Sequence, residues 1–281
     1  MSKESVLKGY SEPYKIHNDG FVRVVDVMGD DDAVVQMART SYGKGTKTVN
    51  EDANLIRYLM RHRHTSPFEG AEIKLHIRCP IFVARQWLRH RTASVNELSA
   101  RYSEMEDSFY VPELDYVAAQ SSENKQVSGN PVNVEDASIY REKLTEIQKI
   151  TYNIYKQALE VGISRERARE LLPVGIYTEF YWKIDLHNLL HFLELRMHPH
   201  AQREIRDYAN VIGNEIVAEW VPITWKAFLD YRYNAKTFSK KAFDTLKELL
   251  GTGGVESFLE GLKDKGLTKR EIKEYENMFL Q

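Results

Sequence analysis

The segment AEIKLHIRCPIFVARQWLRHR, residues 71–91, decides the fold class. In its first half Ala71, Ile73, Leu75 and Ile77 alternate with Glu72, Lys74, His76 and Arg78. Period-two alternation marks a strand with one buried and one wetter face. Pro80 suits the first turn of a helix, and residues 81–90, IFVARQWLRH, read as that helix. Strand and helix patterns mix along the chain without a regular βαβ rhythm. That favours an α+β fold, a single domain of long helices packed on an antiparallel or mixed sheet, over a doubly wound one.

Toward the N-terminus, residues 21–28 are Val-rich between glycines and read as a strand. Asp30–Asp32 offers N-cap chemistry for a helix through Tyr42, and Asn50 for a second one carrying Leu55, Ile56, Leu59 and Met60. The loop 43–48 lacks the GxxxxGK[ST] spacing of a P-loop. Residues 1–20 read as a loose polar arm. Toward the C-terminus, RTASVNELSARYS (91–103) reads as mostly loop, and 118–133 as an exposed or mobile polar insertion.

The longest helix is predicted over 134–161. Its stripe is Tyr140, Leu144, Ile147, Thr151, Ile154, Ala158 and Val161, and Gly162 stands at its C-cap. Ser164 caps a short helix ending near Pro173, and 174–182 read as a strand. Asp185 caps the next helix, Pro199 starts another that ends before Pro222, and Thr224 opens a further one. The lysine-rich tail after about residue 234 is a helical extension broken by GTGG at 251–254, with Thr268 and Glu271 at capping-box spacing. The organisation expected is thus an arm (1–20), a catalytic domain (21–233) and a C-terminal extension (234–281).

Composition excludes several classes. The 281 residues carry 39 Lys and Arg against 41 Asp and Glu, a formal charge of −2, which suits no nucleic-acid-coating protein. With 42% hydrophobic and 28% charged residues, the chain is ordered and soluble in type. No apolar run approaches a membrane span, and the opening residues MSKESVLKGYSEPYK lack the apolar stretch expected of a signal peptide. The single Cys79 can form no internal disulfide and reads as a buried structural thiol, so the expected compartment is the cytoplasm.

Chemistry concentrates in Arg89–Arg101, RHRTASVNELSAR, where three arginines and three hydroxyls stand at a helix end and in the loop after it. Guanidinium forks bind phosphate with paired donors. On composition alone a solvated charged corner is an equal reading. The spacing R-H-R-x-x-S-x-N-x-x-S-x-R, set by Arg89, His90, Arg91, Ser94, Asn96, Ser99 and Arg101, resembles the signature of the flavin-dependent thymidylate synthases. GFVRVVDVMG (20–29), HTSPFE (64–69), PIFVARQWLRHR (80–91), LHNLLHFLELR (186–196) and HAQREI (200–205) resemble that family in the same order, over roughly residues 20–232.

The resemblance implies methylation of dUMP to dTMP. Its implied co-substrates are methylenetetrahydrofolate as carbon donor and NADPH as reductant, with FAD bound in a site shared between subunits of a homotetramer. It implies FAD contacts for Ser66, Arg89, His90, Arg91, Glu97, Asp185, Leu186, His187 and His191. It implies dUMP contacts for Gln86, Trp87, Leu88, Arg89, Glu97, Leu98, Ser99, Ala100, Arg101, Arg169 and Arg196, with Arg101 on the phosphate and Arg196 as the catalytic group polarising the uracil. At position 185 the family commonly has Asn, which donates as well as accepts; Asp only accepts.

His187, His191, Glu194 and His198 share one face of an ideal helix, which leaves a metal-dependent enzyme open as a rival reading. A non-catalytic nucleotide binder is another. Arg196 falls about 180° from His187 on that helix. One site cannot use both faces unless the helix distorts, the ligands are extended, or different subunits' sites are involved.

Overall fold

In the computed structural model the described residues are 12–40, 49–122, 125 and 128–280. The predicted Tyr42 terminus and the loop 43–48 lie outside them. The chain divides into two compact units, Met1–Asn234 and Ala235–Gln281.

The first unit is built on a five-stranded antiparallel sheet, β1 (Tyr14–Ile16), β2 (Gly20–Met28), β3 (Glu72–Pro80), β4 (Ser94–Glu97) and β7 (Tyr177–Asp185), in the order β1-β2-β3-β7-β4. The central strand β3 is the one whose alternation is plainest. Ile73, Leu75, Ile77 and Cys79 are buried, while Lys74, His76 and Arg78 face the wetter side. The buried face continues through Val22, Val24, Phe180, Trp182 and Ile184. Helices α6 (Leu186–Arg196), α7 (Arg203–Val211) and α9 (Pro222–Phe228) share this core, with α1 (Asp31–Arg39) and α2 (Val49–Arg61) completing it. Asp30 caps α1 by accepting from the N–H groups of Asp32 and Ala33. Asp31 reaches across to α9, accepting from Ile223 N at 2.8 Å and Thr224 N at 2.9 Å.

Several boundaries differ from the sequence reading. Residues 14–16 pair with β2 as an edge strand, so the arm is not loose throughout. α2 already begins at Val49, which puts Asn50 inside it. The helix after Pro80, α3 (Ile81–Trp87), stops three residues before His90, and Pro80 is its N-cap. Ser94–Glu97 form β4 through pairing with β7, although all four residues are exposed. α7 starts at Arg203, not Pro199, and continues through a π-turn, Ile212–Val217, to α8 (Ala218–Trp220). Thr224 lies within α9, not at its cap.

The insertion forms a hairpin, β5 (Ala118–Gln120) with β6 (Ser128–Pro131). α4 (Val134–Glu160) is capped by Asn133 and followed by Gly162 at φ +86°, a left-handed position glycine tolerates best. α5 (Arg165–Ala168) follows Ser164. Of the predicted α4 stripe only Ala158 is buried. The helix's buried residues are Ala137, Gln148, Tyr155 and Ala158, the last two packing in a second core with Met105, Phe109 and Ile176. Tyr140, Ile147, Ile154 and Val161 are exposed.

In the second unit, α10 (Lys240–Asp264) is interrupted at Gly251, φ +57°, the first residue of the predicted GTGG break. α11 (Lys269–Leu280) opens on the predicted capping box. Thr268 N donates to a Glu271 carboxylate at 2.7 Å and Glu271 N to Thr268 Oγ1 at 3.3 Å. Phe243, Phe258 and Phe279 pack together within this unit. No helix among the described residues is long and apolar enough to cross a membrane.

Candidate active site

The motif begins where α3 ends. Trp87, fully buried, is wedged among Phe180, Trp182, Phe192 and Tyr208 with ring centroids 4.9–5.8 Å away. That anchor fixes the residues on either side of it. Gln86 donates its side-chain N–H to the Gln202 carbonyl oxygen. His90 N donates to Trp87 O at 3.0 Å, which turns the chain out of the helix. Arg89 and Arg91 are exposed on this turn.

Arg196, in the last turn of α6, reaches this turn. Its Nε donates to His90 Nε2 at 3.0 Å and its Nη2 to Gln86 O at 3.3 Å. Among the described residues it has no carboxylate within ion-pair distance. It is partly buried, and burial pulls its guanidinium down from the usual value. A cation withdrawn from water without a counter-charge is unfavourable by itself, which makes such groups candidates for function. His90 packs edge-on to Phe192 at 4.9 Å and lies 6.0 Å from the His191 ring. Burial first, then the charges of Arg196 and His191, hold its imidazole down to about 4, so it is neutral near pH 7.

This arrangement reconciles the two faces of α6. His191 and His187 line a cleft with Arg63, His64, Thr65 and Arg232, floored by Leu59, Leu190 and Phe228. Arg196 hydrogen-bonds His90, whose ring lies 6.0 Å from that of His191. The imidazole, supplied by the turn after α3, is the element that both faces meet. The cleft is narrow, and its apolar floor and cationic, hydrogen-bonding walls are the kinds of side chain that an aromatic group with an anionic arm would need. Ser66 is exposed beside it, at the start of the 3-10 turn Ser66–Gly70.

Asp185 is committed to its helix. Its Oδ1 accepts from Asn188 N at 2.9 Å and Oδ2 from Asn188 Nδ2 at 2.8 Å, so it caps α6 as its spacing suggests. Of the histidine face, Glu194 pairs with Arg232 at 2.7 Å and His198 Nδ1 accepts from His200 N. Among the described residues no group of three or more His, Cys, Asp or Glu is placed to hold a metal.

A second set of motif residues follows β4. Glu97 accepts from the buried Thr178 hydroxyl at 2.7 Å, and Leu98 N donates to Glu179 O at 2.8 Å. Ser99 Oγ accepts from Arg101 N at 3.3 Å, and Ser99 O from Tyr102 N and Ser103 N, which makes a tight turn. Arg101 lies 3.7 Å from Glu166, and Arg169 is exposed just beyond α5. Ala100 packs on the second core, while Leu88 and Leu98 are exposed. Among the described residues no hydrogen bond or ion pair joins this set to the Gln86–His90–Arg196 set.

Two expected contacts need correction. Trp87 and Leu186 are 0% exposed, backbone and side chain together, so neither offers a surface to a ligand in this structure. Cys79 is also fully buried, and burial with Glu97 nearby pushes its thiol well up, which leaves no thiolate nucleophile there. Gln202, Thr178, His64, Thr65 and Arg232 touch the site residues but received no role from the sequence. Gln202 and Thr178 meet their partners across 116 and 81 residues, a relation no local pattern carries.

Residues 23–223 match the family described as thymidylate synthase complementing protein. The chain is 53% identical over 261 residues to a flavin-dependent thymidylate synthase of Ehrlichia ruminantium (strain Gardel), covering 93% of this chain and 86% of that one. It is 52% identical over 255 residues to one from Thermus thermophilus, covering 91% of each. Among solved structures, the UMP/dUMP methylase PolB from Streptomyces cacaoi bound with 5-Br dUMP is similar with a TM-score of 0.72 and 35% identity, covering 78% of this chain and 99% of that one.

Proposed function

Because the chain belongs to the flavin-dependent thymidylate synthase family, we propose that it methylates dUMP to dTMP, using methylenetetrahydrofolate as carbon donor, NADPH as reductant and FAD as bound cofactor. It is an enzyme, and its chemistry is that of a methyltransferase. The observation that carries the reading is Arg196: a partly buried guanidinium, held by two neutral acceptors, with no carboxylate partner among the described residues. Such a group is suited to meet negative charge that grows on a uracil ring as its C5 becomes nucleophilic. A pre-oriented cation in a partly dry site lowers the barrier without reorganising.

Around it, Gln86, Leu88 and Arg89 are proposed to bind dUMP together with Glu97, Leu98, Ser99, Ala100, Arg101 and Arg169. Arg101 and Arg169 are exposed guanidinium forks suited to the phosphate. Ser66, Arg89, His90, Arg91, Glu97, His187 and His191 are proposed to hold FAD, and the cationic and apolar side chains beside His187 and His191 support this. Asp185 contributes by capping α6 and so placing His187. FAD, when bound, supplies the two-electron reducing chemistry. The protein's own part is to bind, to orient, to exclude water and to offset charge at the uracil.

A homotetramer with shared sites is part of the proposal. Two features support it: among the described residues no hydrogen bond or ion pair links the two sets of motif residues, and α4 carries an exposed apolar face. Ile139, Tyr140, Ile147, Ile150, Ile154 and Val161 are exposed and span an arc of about 100° on an ideal helix. Light scattering on the flavin-loaded protein tests this; a monomer that keeps its flavin overturns it. Residues 21–233 are proposed as the catalytic domain and 234–281 as an appended helical unit, in an enzyme of the cytoplasm.

The test of the reading is the visible spectrum of the purified protein. Flavin bands near one chromophore per chain, perturbed by added dUMP, are expected. A colourless protein carrying bound nucleotide would overturn the proposal in favour of a non-catalytic binder.

A further inference from the structure

We infer that His90 is the positioning residue for Arg196, a role beyond any flavin contact it makes and one that rests on the activity proposed above. A guanidinium has five N–H donors in a rigid plane. His90 Nε2 takes the Nε–H and Gln86 O takes one hydrogen of Nη2. Two hydrogens on Nη1 and one on Nη2 remain, so one edge of the fork is pinned and the opposite corner is left for a ligand oxygen.

Both pinning acceptors are uncharged. A carboxylate at position 90 would also pin Nε, but it would neutralise the cation that the chemistry needs. A neutral imidazole gives the orientation without cancelling the charge. For Nε2 to accept, the ring proton must sit on Nδ1, which leaves that atom free to donate. The ring itself is fixed by the His90 N to Trp87 O bond and by the Phe192 edge contact. Arg196 and His191, both from α6, are the charged or titratable groups that face it, and both favour the neutral ring. The middle residue of the Arg-His-Arg motif is therefore the link between the Trp87 core anchor and the catalytic cation.

A double-mutant cycle tests this, with dTMP formation and NADPH-driven flavin reduction measured separately per bound flavin. His90→Phe keeps an aromatic ring but removes the acceptor; it is expected to slow dTMP formation about tenfold or more. In an Arg196→Ala background the same change is expected to cost less than about twofold, because its target is gone. His90→Asn, whose amide oxygen can accept, should recover part of the loss, and His90→Asp, which adds a charge, should not. The inference is overturned if His90→Phe costs the same factor in both backgrounds, if it costs nothing, or if Asp serves as well as Asn. Should the Phe variant fail to fold, the Asn against Asp comparison decides. Wild-type protein that binds flavin but makes no dTMP would instead overturn the proposed activity, and this inference with it.

Discussion

Thr178 donates its hydroxyl hydrogen to the Glu97 carboxylate at 2.7 Å, from the buried interior of β7 to the exposed end of the edge strand β4. Glu97 is thereby fixed by a residue that no ligand can touch. Hydrogen bonds to charged groups contribute about 1.5–3 kcal/mol. Thr178→Val keeps the shape and removes the donor. It is expected to weaken dUMP binding by roughly tenfold, measured by titrating the flavin absorbance, while Thr178→Ser binds nearly as wild type. Unchanged affinity in the Val variant would show that Glu97 needs no such support.

Arg196→Ala is expected to lower dTMP formation by at least about tenfold, since a charged hydrogen bond in a partly dry site is removed. Flavin should remain bound, and its reduction by NADPH should suffer less than methylation. Arg196→Lys should recover only part, because an ammonium cannot occupy both His90 and the Gln86 carbonyl with one planar fork. Separate rates for the two half-reactions decide the matter; equal losses in both would argue against a role at the uracil.

The neutrality of His90 has a consequence for pH. Its pKa is lowered to about 4 in the folded chain, against about 6.5 when unfolded. Between those values the unfolded chain binds the extra proton, so this group favours unfolding increasingly as pH falls from 6.5 toward 4, and contributes nothing above. A ring titration followed by NMR should find His90 still neutral at pH 6. In denaturant unfolding, His90→Phe should lose part of the wild-type decline in stability over that window. A midpoint near 6.5 would contradict the environment described.

How much of this is legible in the sequence depends on where each element gets its stability. β3 is plain because one face is buried and the other wet, so each residue of 72–78 reports its side. β4 is not, because Ser94–Glu97 are exposed polar residues made a strand only by pairing with β7. The α4 stripe misleads because apolar residues at helical spacing do not say which of them face the body of the chain: Tyr140, Ile147, Ile154 and Val161 are exposed. The motif's spacing names candidate site residues, but that His90 meets both Arg196 and His191 of α6 is a contact across 106 residues for the first of them. It depends on α3 ending at Trp87, which packing of that indole decides.

Asp31 offers a test of the scaffold. Both its carboxylate oxygens accept from backbone N–H groups at the start of α9, one of them on the fully buried Thr224. Asp31→Ala leaves both donors without partners and is expected to reduce stability by about 2–4 kcal/mol. Asp31→Asn should also destabilise, since its NH2 cannot accept from the second donor. Urea unfolding of the three proteins measures this; an Ala variant within about 0.5 kcal/mol of wild type would mean the α1–α9 link is not what holds these helices.

The most direct test of the account is transfer of carbon from a labelled folate. Flavin-replete protein, incubated with dUMP, NADPH and methylenetetrahydrofolate labelled in the methylene carbon, should yield labelled dTMP by chromatography and mass spectrometry. Formation should stop when any one of the three is left out. Flavin-replete, folded protein that reduces its flavin yet transfers no label to dUMP would contradict the assignment.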